Sequence, residues 1–350
     1  MDRVGRDRDA PRIEDAFVDL ASGIFLYIQE DLRLPARIPV LIRRVYNASS
    51  RVSGAFGSGT FLNYEYSITM AADRLTLFNP DGSEQVFLRQ ADSTFVNFDR
   101  PFLRGARITI GADRTAALRF RHGKIFQFDQ NGRLARISDP NANSIVLTRD
   151  SGGKIVRITE PAGRSFSLDY DSSNRITSIT DPAGRKVTYA YTGGSLVRVT
   201  RPIGEFIFTY DAQGRMITLA DGRGITLMNT YDSQNRATLQ TFIGNIRRTY
   251  AYSAGSTQVT DALGNRTAFR FNGDQYLTGI TDALGGVTAW ERQTGTNLLL
   301  GATDPLDRRT SFGYDALGNV TGVTDPMGNV TGYTYESTFS RLTQRSQALF

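Results

Sequence analysis

Only a few groups in this chain of 350 residues could do chemistry, and their spacing points away from it. A glycosidase needs two carboxylates close in space, and the 35 Asp and Glu residues offer many candidates. Most of them, however, stand where a chain reverses: Asp139 (DPNA), Glu160 (EPAG), Asp181 (DPAG), Asp221 (DGRG), Asp261 and Asp282 (both DALG), Asp304 (DPLD) and Asp325 (DPMG). Arg201 (RPIG) and Thr241 (TFIG) hold the same slot. At such positions an Asp side chain accepts from the backbone beyond it, and Pro presets φ. His122 is the single histidine, beside Gly123 in LRFRHGK, and one histidine cannot build a multi-histidine metal site. Cysteine is absent, which removes thiol catalysis, disulfides and Cys-based metal sites. The serine-elbow GxSxG, the phosphate loop GxxxxGK[ST] and the dinucleotide GxGxxG are also missing. Neither DxDxDG nor GGxGxD, the calcium-loop patterns, occurs. The expectation is a non-enzymatic chain with no catalytic, cofactor or metal residues.

The elements that carry these turns repeat. Pairs of residues two apart, mostly aromatic, recur every 19 to 22 positions, with Tyr170, Tyr191, Tyr210, Tyr231, Tyr252, Phe271, Arg292, Tyr314 and Tyr335 second in each pair. First in each pair stand Leu168, Tyr189, Phe208, Asn229, Tyr250, Phe269, Trp290, Phe312 and Tyr333. A spacing of two puts both side chains on one face of a β-strand, and a fixed period near 20 marks a repeat architecture. RKVTYAY (185–191) places Val187, Tyr189 and Tyr191 together, and EFIFTY (205–210) does the same with Phe206, Phe208 and Tyr210. Polar tips such as DSSNR (171–175), DAQGR (211–215), DSQNR (232–236) and DALGN (315–319) fall halfway between the DPxG turns. Each unit therefore reads as two short strands and two turns, and the fold class is all-β, tandem β-hairpin repeats forming one continuous spiralling sheet.

YDSSNRITSITDPAG (170–184), YDAQGRMITLADGRG (210–224) and YDALGNVTGVTDPMG (314–328) resemble the YD repeats of bacterial Rhs proteins, which also occur in insecticidal toxin-complex subunits and animal teneurins. The resemblance covers 120–350, about ten units. Residues 18–59 are similar to the β-rich domain that precedes the repeats in Rhs-type polymorphic toxins. The matching residues are Val18–Asp19 with Ser22–Gly23, Asp31 to Pro35, Ile38–Pro39, Arg44 with Tyr46, and Gly57–Ser58–Gly59. Where that family has an aromatic after the last glycine, Thr60 and then Phe61 stand here. The division this implies is a disordered 1–16, a β-rich domain at 17–119 and the repeat region at 120–350, with no linker at the boundary. The resemblance implies a wall around a hollow shell that encloses a C-terminal effector and helps deliver it. Its partners would be that polypeptide cargo, the remaining repeats and secretion machinery, at a secreted or cell-surface location. DPAG (181–184) and DPMG (325–328) look like fragments of the self-cleavage motif of such shells, but they lie on the repeat's own period and are read as turns.

Ten repeats look too few to close a shell, so an open arc with an exposed final edge is expected; QALF (347–350) in a turn slot suggests a longer parent protein. The net charge of +6 is almost wholly arginine, placed singly at turns (Arg133, Arg164, Arg175, Arg185, Arg215, Arg236), which reads as a solvated turn position and not as a nucleic-acid surface. Apolar runs of 18 residues and a secretory leader are both missing from the sequence. The aromatic ladder has two readings. Cross-strand packing is one, with Arg292 stacked on a neighbouring ring. A carbohydrate-binding or adhesion platform built on Trp290 and the tyrosines, with cell-surface glycans as partners, is the other.

Overall fold

A computed structural model describes residues 18–222 and 224–348. The segment 1–16, expected to be disordered, and the last two positions of the QALF turn lie outside the described residues. Among those described, 28 strands from Ser67–Met70 to Leu342–Ala348 form a single antiparallel sheet in which each strand pairs with the next in sequence. Among the described residues the helical segments are short 3₁₀ turns at Pro101–Leu103 and Ile243–Asn245. The alternation read from the sequence sets the faces. In Lys186–Thr192, Val187 and Tyr189 are buried while Lys186, Thr188 and Ala190 are exposed.

So many twisted strands must curl, and the backbone shows where. In ten hairpins the register slips just before the second ladder residue, as between Asp169 and Tyr170, Thr230 and Tyr231, or Gly313 and Tyr314. Each slip is a β-bulge, which bends the strand and increases its twist. The first coil closes on itself: Ser67 bridges Arg133, the Ile68 amide donates to the Gly132 carbonyl at 2.7 Å, and the Leu134 amide donates to Tyr66.

The sheet has two rims, one carrying the YD tips and the other the DPxG-type tips. Late YD-side tips return to early DPxG-side loops. Asn297 Nδ2 donates to the Asp99 carbonyl at 3.0 Å, Arg121 donates to the Leu317 and Gly318 carbonyls, and Phe339 packs on Gly123. After this short first coil, the next superhelical turn therefore takes about ten repeats. The expected arc comes full circle at its rims, while its last strand, Leu342–Ala348, remains an exposed edge paired with Val330–Tyr335.

In this stretch the interior is filled where the family resemblance implied a hollow shell. A three-stranded sheet, Leu26–Leu34, Val40–Asn47 and Thr60–Leu62, sits inside the coil and touches repeats from one side to the other. Tyr27 meets Phe208, Phe56 meets Tyr189, and Tyr46 meets Tyr210. Its backbone joins in, with Gly23 and Ala55 carbonyls accepting from the Ala237 and Ile176 amides. Burying a side chain such as Phe25 or Phe56 contributes about 1.5–3 kcal/mol.

At the centre of this contact lies an ion pair. A bulge between Glu30 and Leu32 turns Asp31 inward, where it accepts from Arg44 Nε at 2.6 Å and Nη2 at 2.9 Å and from the Tyr189 hydroxyl at 3.0 Å. The Arg44 and Asp31 side chains are 2% and 0% exposed. Burial alone would lower the Arg44 pKa, but Asp31 raises it above its ordinary value. Asp31→Ala should cost about 3–5 kcal/mol, because it strands a buried guanidinium. Urea titration measures this loss; a loss under 1 kcal/mol would show that the pair does not anchor the inner sheet.

Candidate functional site

The repeating turn is the most elaborate constellation in the chain. In the tip 171–175, Asp171 Oδ1 accepts from the Ser173 and Arg175 amides, both at 2.9 Å, while Arg175 Nε donates to Asp171 Oδ2 at 2.8 Å. The same clamp recurs at Asp211 with Arg215 and Asp232 with Arg236. On the other rim it recurs at Asp181 with Arg185, Asp304 with Arg308 and, with Asn in place of Arg, Asp261 with Asn265 and Asp325 with Asn329. The carboxylates thus serve as backbone acceptors, as the sequence implied. The arginines of the YD-side tips correct the reading of a solvated position, while Arg164 and Arg185 on the other rim are exposed, as read. Arg175, Arg215 and Arg236 are half-buried and lie over the rings of Tyr191, Tyr231 and Tyr252 in the next repeat, at 4.4, 4.9 and 4.6 Å.

The tyrosines at the second ladder position close the circuit. A bulge leaves one carbonyl without its ladder partner, and such a buried acceptor is costly if unmet. The hydroxyl of Tyr170 donates to the Ile155 carbonyl at 2.8 Å, and Tyr191, Tyr210, Tyr252, Tyr314 and Tyr335 reach Ile176, Leu196, Ala237, Leu299 and Val320. Where tyrosine is replaced, arginine substitutes: Arg149 donates to Leu134 and Arg292 Nε to Leu277. Arg292 also lies over the Tyr276 ring at 5.1 Å, the stacking expected from the sequence. Phe271, with no hydroxyl, follows the one such hairpin whose strands, Ile246–Ser253 and Ser256–Thr260, pair without a slip. Sequence reasoning treated the second ladder position as an aromatic; its strong preference for a hydroxyl over Phe was the available signal.

The remaining candidates do not assemble into a catalytic centre. His122 is exposed and stacked on Phe120 at 5.8 Å, and partial desolvation with the nearby Lys124 and Arg121 charges lowers its pKa. A groove of about 520 Å³ on the outer face, between Thr109 and Val146, has Asp129 as its lining carboxylate, and Asp129 is already committed to its turn with Arg133. Among the described residues there is no cluster of three potential metal ligands, and no helix is long and apolar enough to cross a membrane. The ladder rings Tyr189, Phe208, Tyr250 and Phe269 are buried, while Trp290, Phe312 and Tyr333 are half-buried. Glu65 accepts from the Leu62 and Ala55 amides; burial pushes its carboxyl up to about 7 against those bonds.

These geometries make three expectations. Tyr170→Phe should destabilise by about 1–3 kcal/mol by orphaning the Ile155 carbonyl, whereas Phe271→Tyr should bring no gain; paired denaturation curves decide it. Asp171, Asp181 and Asp232 titrate below their ordinary value of 3.8, because amide and guanidinium bonds outweigh a burial effect of opposite sign. Their stabilisation is present above that value and fades as pH falls through the lowered ones, so thermal stability should drop below about pH 4. Glu65 has the reverse sign: its folded pKa is raised, so its stabilisation is present below 4.5 and lost as pH rises towards 7. Glu65→Gln should flatten that slope, and an unchanged melting-temperature profile would contradict it.

The comparisons fall on the same segments. A domain of unknown function (DUF6531) matches residues 15–87, the teneurin YD-shell matches 115–284, and the RHS repeat matches 294–326 and 314–349. No curated protein matches the chain. Among solved structures, TcdB2-TccC3 without its hypervariable C-terminal region aligns over 88% of this chain and 19% of its own, at 13% identity and a TM-score of 0.46. The Tc holotoxin pore of Photorhabdus luminescens aligns over 93% and 21%, at 11% identity and 0.43. The chain thus spans about a fifth of the solved chains it matches. With YD-shell and RHS-repeat matches covering well over half of its length, on a continuous sheet of clamped hairpins, this chain belongs to the Rhs/YD-repeat family.

Proposed function

We propose that the chain is one end of the wall of an Rhs-type shell that encloses a polypeptide effector and helps deliver it from the cell, without catalysis of its own. The supporting observation is the filled coil: a continuous spiral sheet turns its apolar ladder inward, and the inner sheet at 26–62 seals that face from Leu168 to Phe269. Beyond it the inward row continues through Trp290, Phe312 and Tyr333, which are half-exposed. That uncovered stretch is where enclosed space would begin. Residues 17–119 then act as plug and first coil, and 120–350 as wall. Partners on this reading are the effector, further repeats of the same shell and secretion machinery, at a secreted or cell-surface location.

Enclosure works by mechanics. Opening the wall means parting strands whose bulges, turns and rings are cross-connected, so a tail inside stays away from the cytosol. The reading frame encoding the chain should run on through further repeats into an unrelated tail. In the intact protein that tail should resist a protease that digests it once the shell is denatured. A tail cut equally fast in both states would end the enclosure reading.

The adhesion reading asks the ladder to bind glycans. Tyr314 spends its hydroxyl on the Leu299 carbonyl, and Trp290 packs against the core. A glycan array should therefore show no binding that depends on these rings. Binding lost in Trp290→Ala with Tyr314→Ala would favour adhesion.

A further inference from the structure

Glu65 is half-buried, and its carboxyl points into a joint between the inner sheet and the wall. The short hairpin of Ser53–Gly54 and Gly57–Ser58 makes that joint. Its Ala55 carbonyl accepts from the Ile176 amide at 2.8 Å, and its Ser58 amide donates to the Gly194 carbonyl at 3.0 Å. Phe56 is fully buried, with its ring 4.7 Å from that of Tyr189. Gly57, at φ +88°, lies so near the wall that a Cβ would run into the Gly194 carbonyl. Tyr189 also meets Asp31, so the hairpin stands beside the ion pair of the inner sheet.

Glu65 holds this hairpin from behind. Its Oε2 accepts from the Leu62 amide at 2.5 Å and the Ala55 amide at 3.1 Å, and Oε1 lies 3.0 Å from the same Ala55 nitrogen. Ala55 thus gives its amide to Glu65 and its carbonyl to the wall. One oxygen can take both amides, which leaves the other able to carry a proton. The charged form is poorly served. Arg149, on Ser144–Arg149, and the Tyr170 hydroxyl, on Ser165–Tyr170, face the carboxyl, with Asp129 and Arg133 beyond Arg149. Arg149 spends its guanidinium on the Gly153 and Leu134 carbonyls, and Tyr170 spends its hydroxyl on Ile155. Among the described residues no cation stands in ion-pair contact with Glu65. A carboxylate held from water without such a cation is costly, and opening to water removes the cost.

We propose that the 53–58 hairpin is a proton-operated latch between the inner sheet and the wall, seated while Glu65 carries its proton and loosened when Glu65 loses it. Loosening uncovers Tyr189 and the Asp31–Arg44 pair, the contacts that set the inner sheet in place. Only the word plug for that sheet rests on the enclosure reading. The latch does not, since both of its faces lie within this chain.

Seated Glu65 titrates at about 7 and an exposed one at 4.5, so the opening constant climbs between those values and levels off above them. Hydrogen exchange of the 350-residue chain, divided by intrinsic rates, reads that constant at the Ala55, Ser58 and Leu62 amides. Their protection should fall about fiftyfold from pH 5 to pH 8. Val320–Thr324, a late strand that opens with its own neighbours, should hold its protection over the same range. Glu65→Gln, an uncharged mimic, should keep the hairpin protected throughout. His122→Asn removes the other group that titrates near this window and should keep the wild-type slope. Hairpin protection that ignores pH, or falls in step with Val320–Thr324, would overturn the latch. So would a slope that survives in Glu65→Gln or vanishes in His122→Asn. The wild-type series needs no variant, so it decides the question even where a substitution fails to fold.

Discussion

A bulge that frees a carbonyl, and a hydroxyl sent back from the next repeat to meet it, is the interaction on which this structure depends. Without the bulges, 28 strands would have no built-in place to bend. Without the caps, each bend would bury an unmet acceptor. Joining the two makes curvature and connection a single event: Tyr191 meets the bulge at Ile176, and the turn arginine Arg175 lies over the Tyr191 ring. Neighbouring repeats are therefore tied by hydrogen bond and by cation–π contact as well as by the strand ladder. The exception supports the rule, since the hairpin at 246–260 pairs without a slip and is followed by Phe271.

Curvature in turn creates an inside, and the inside must be filled. The inner sheet does this with aromatics set against the ladder, Tyr27 on Phe208 and Phe56 on Tyr189, around one buried ion pair. That pair carries a large desolvation cost, offset by two short bonds from Arg44 and one from Tyr189. Its geometry suits registration more than adhesion, because only one placement of the inner sheet brings Asp31 to the Tyr189 hydroxyl. The apolar contacts supply the bulk of the attraction.

The turn carboxylates show how residues suited to catalysis can be consumed by architecture. In the clamped turns, such as those of Asp171, Asp211 and Asp325, the Asp uses one oxygen on two amides and the other on an Arg or Asn side chain, so little is left to offer a substrate. What remains available to partners lies elsewhere, on the half-exposed inner row at 290–333.

Period, strand, turn and face were all legible in the sequence, because they are local. Pro and Gly at fixed offsets specify turns, and residues two apart share a face whatever surrounds them. The backbone-acceptor role of Asp171 or Asp325 followed from the same local chemistry, as did the stacking of Arg292. Three things were decided only by the tertiary structure. Asp31 and Arg44 meet because a bulge re-aims one of them, and Tyr189 joins them from more than 150 residues away. The arginines of the YD tips are half-buried because the next repeat supplies a ring above them. The coil is filled because strands at 26–62 fold back into it. Each of these is a contact between segments distant in sequence or in adjoining repeats, and such pairings depend on how far the sheet turns per repeat. That angle is a sum of small twists and bulges, fixed only when all the strands are in place.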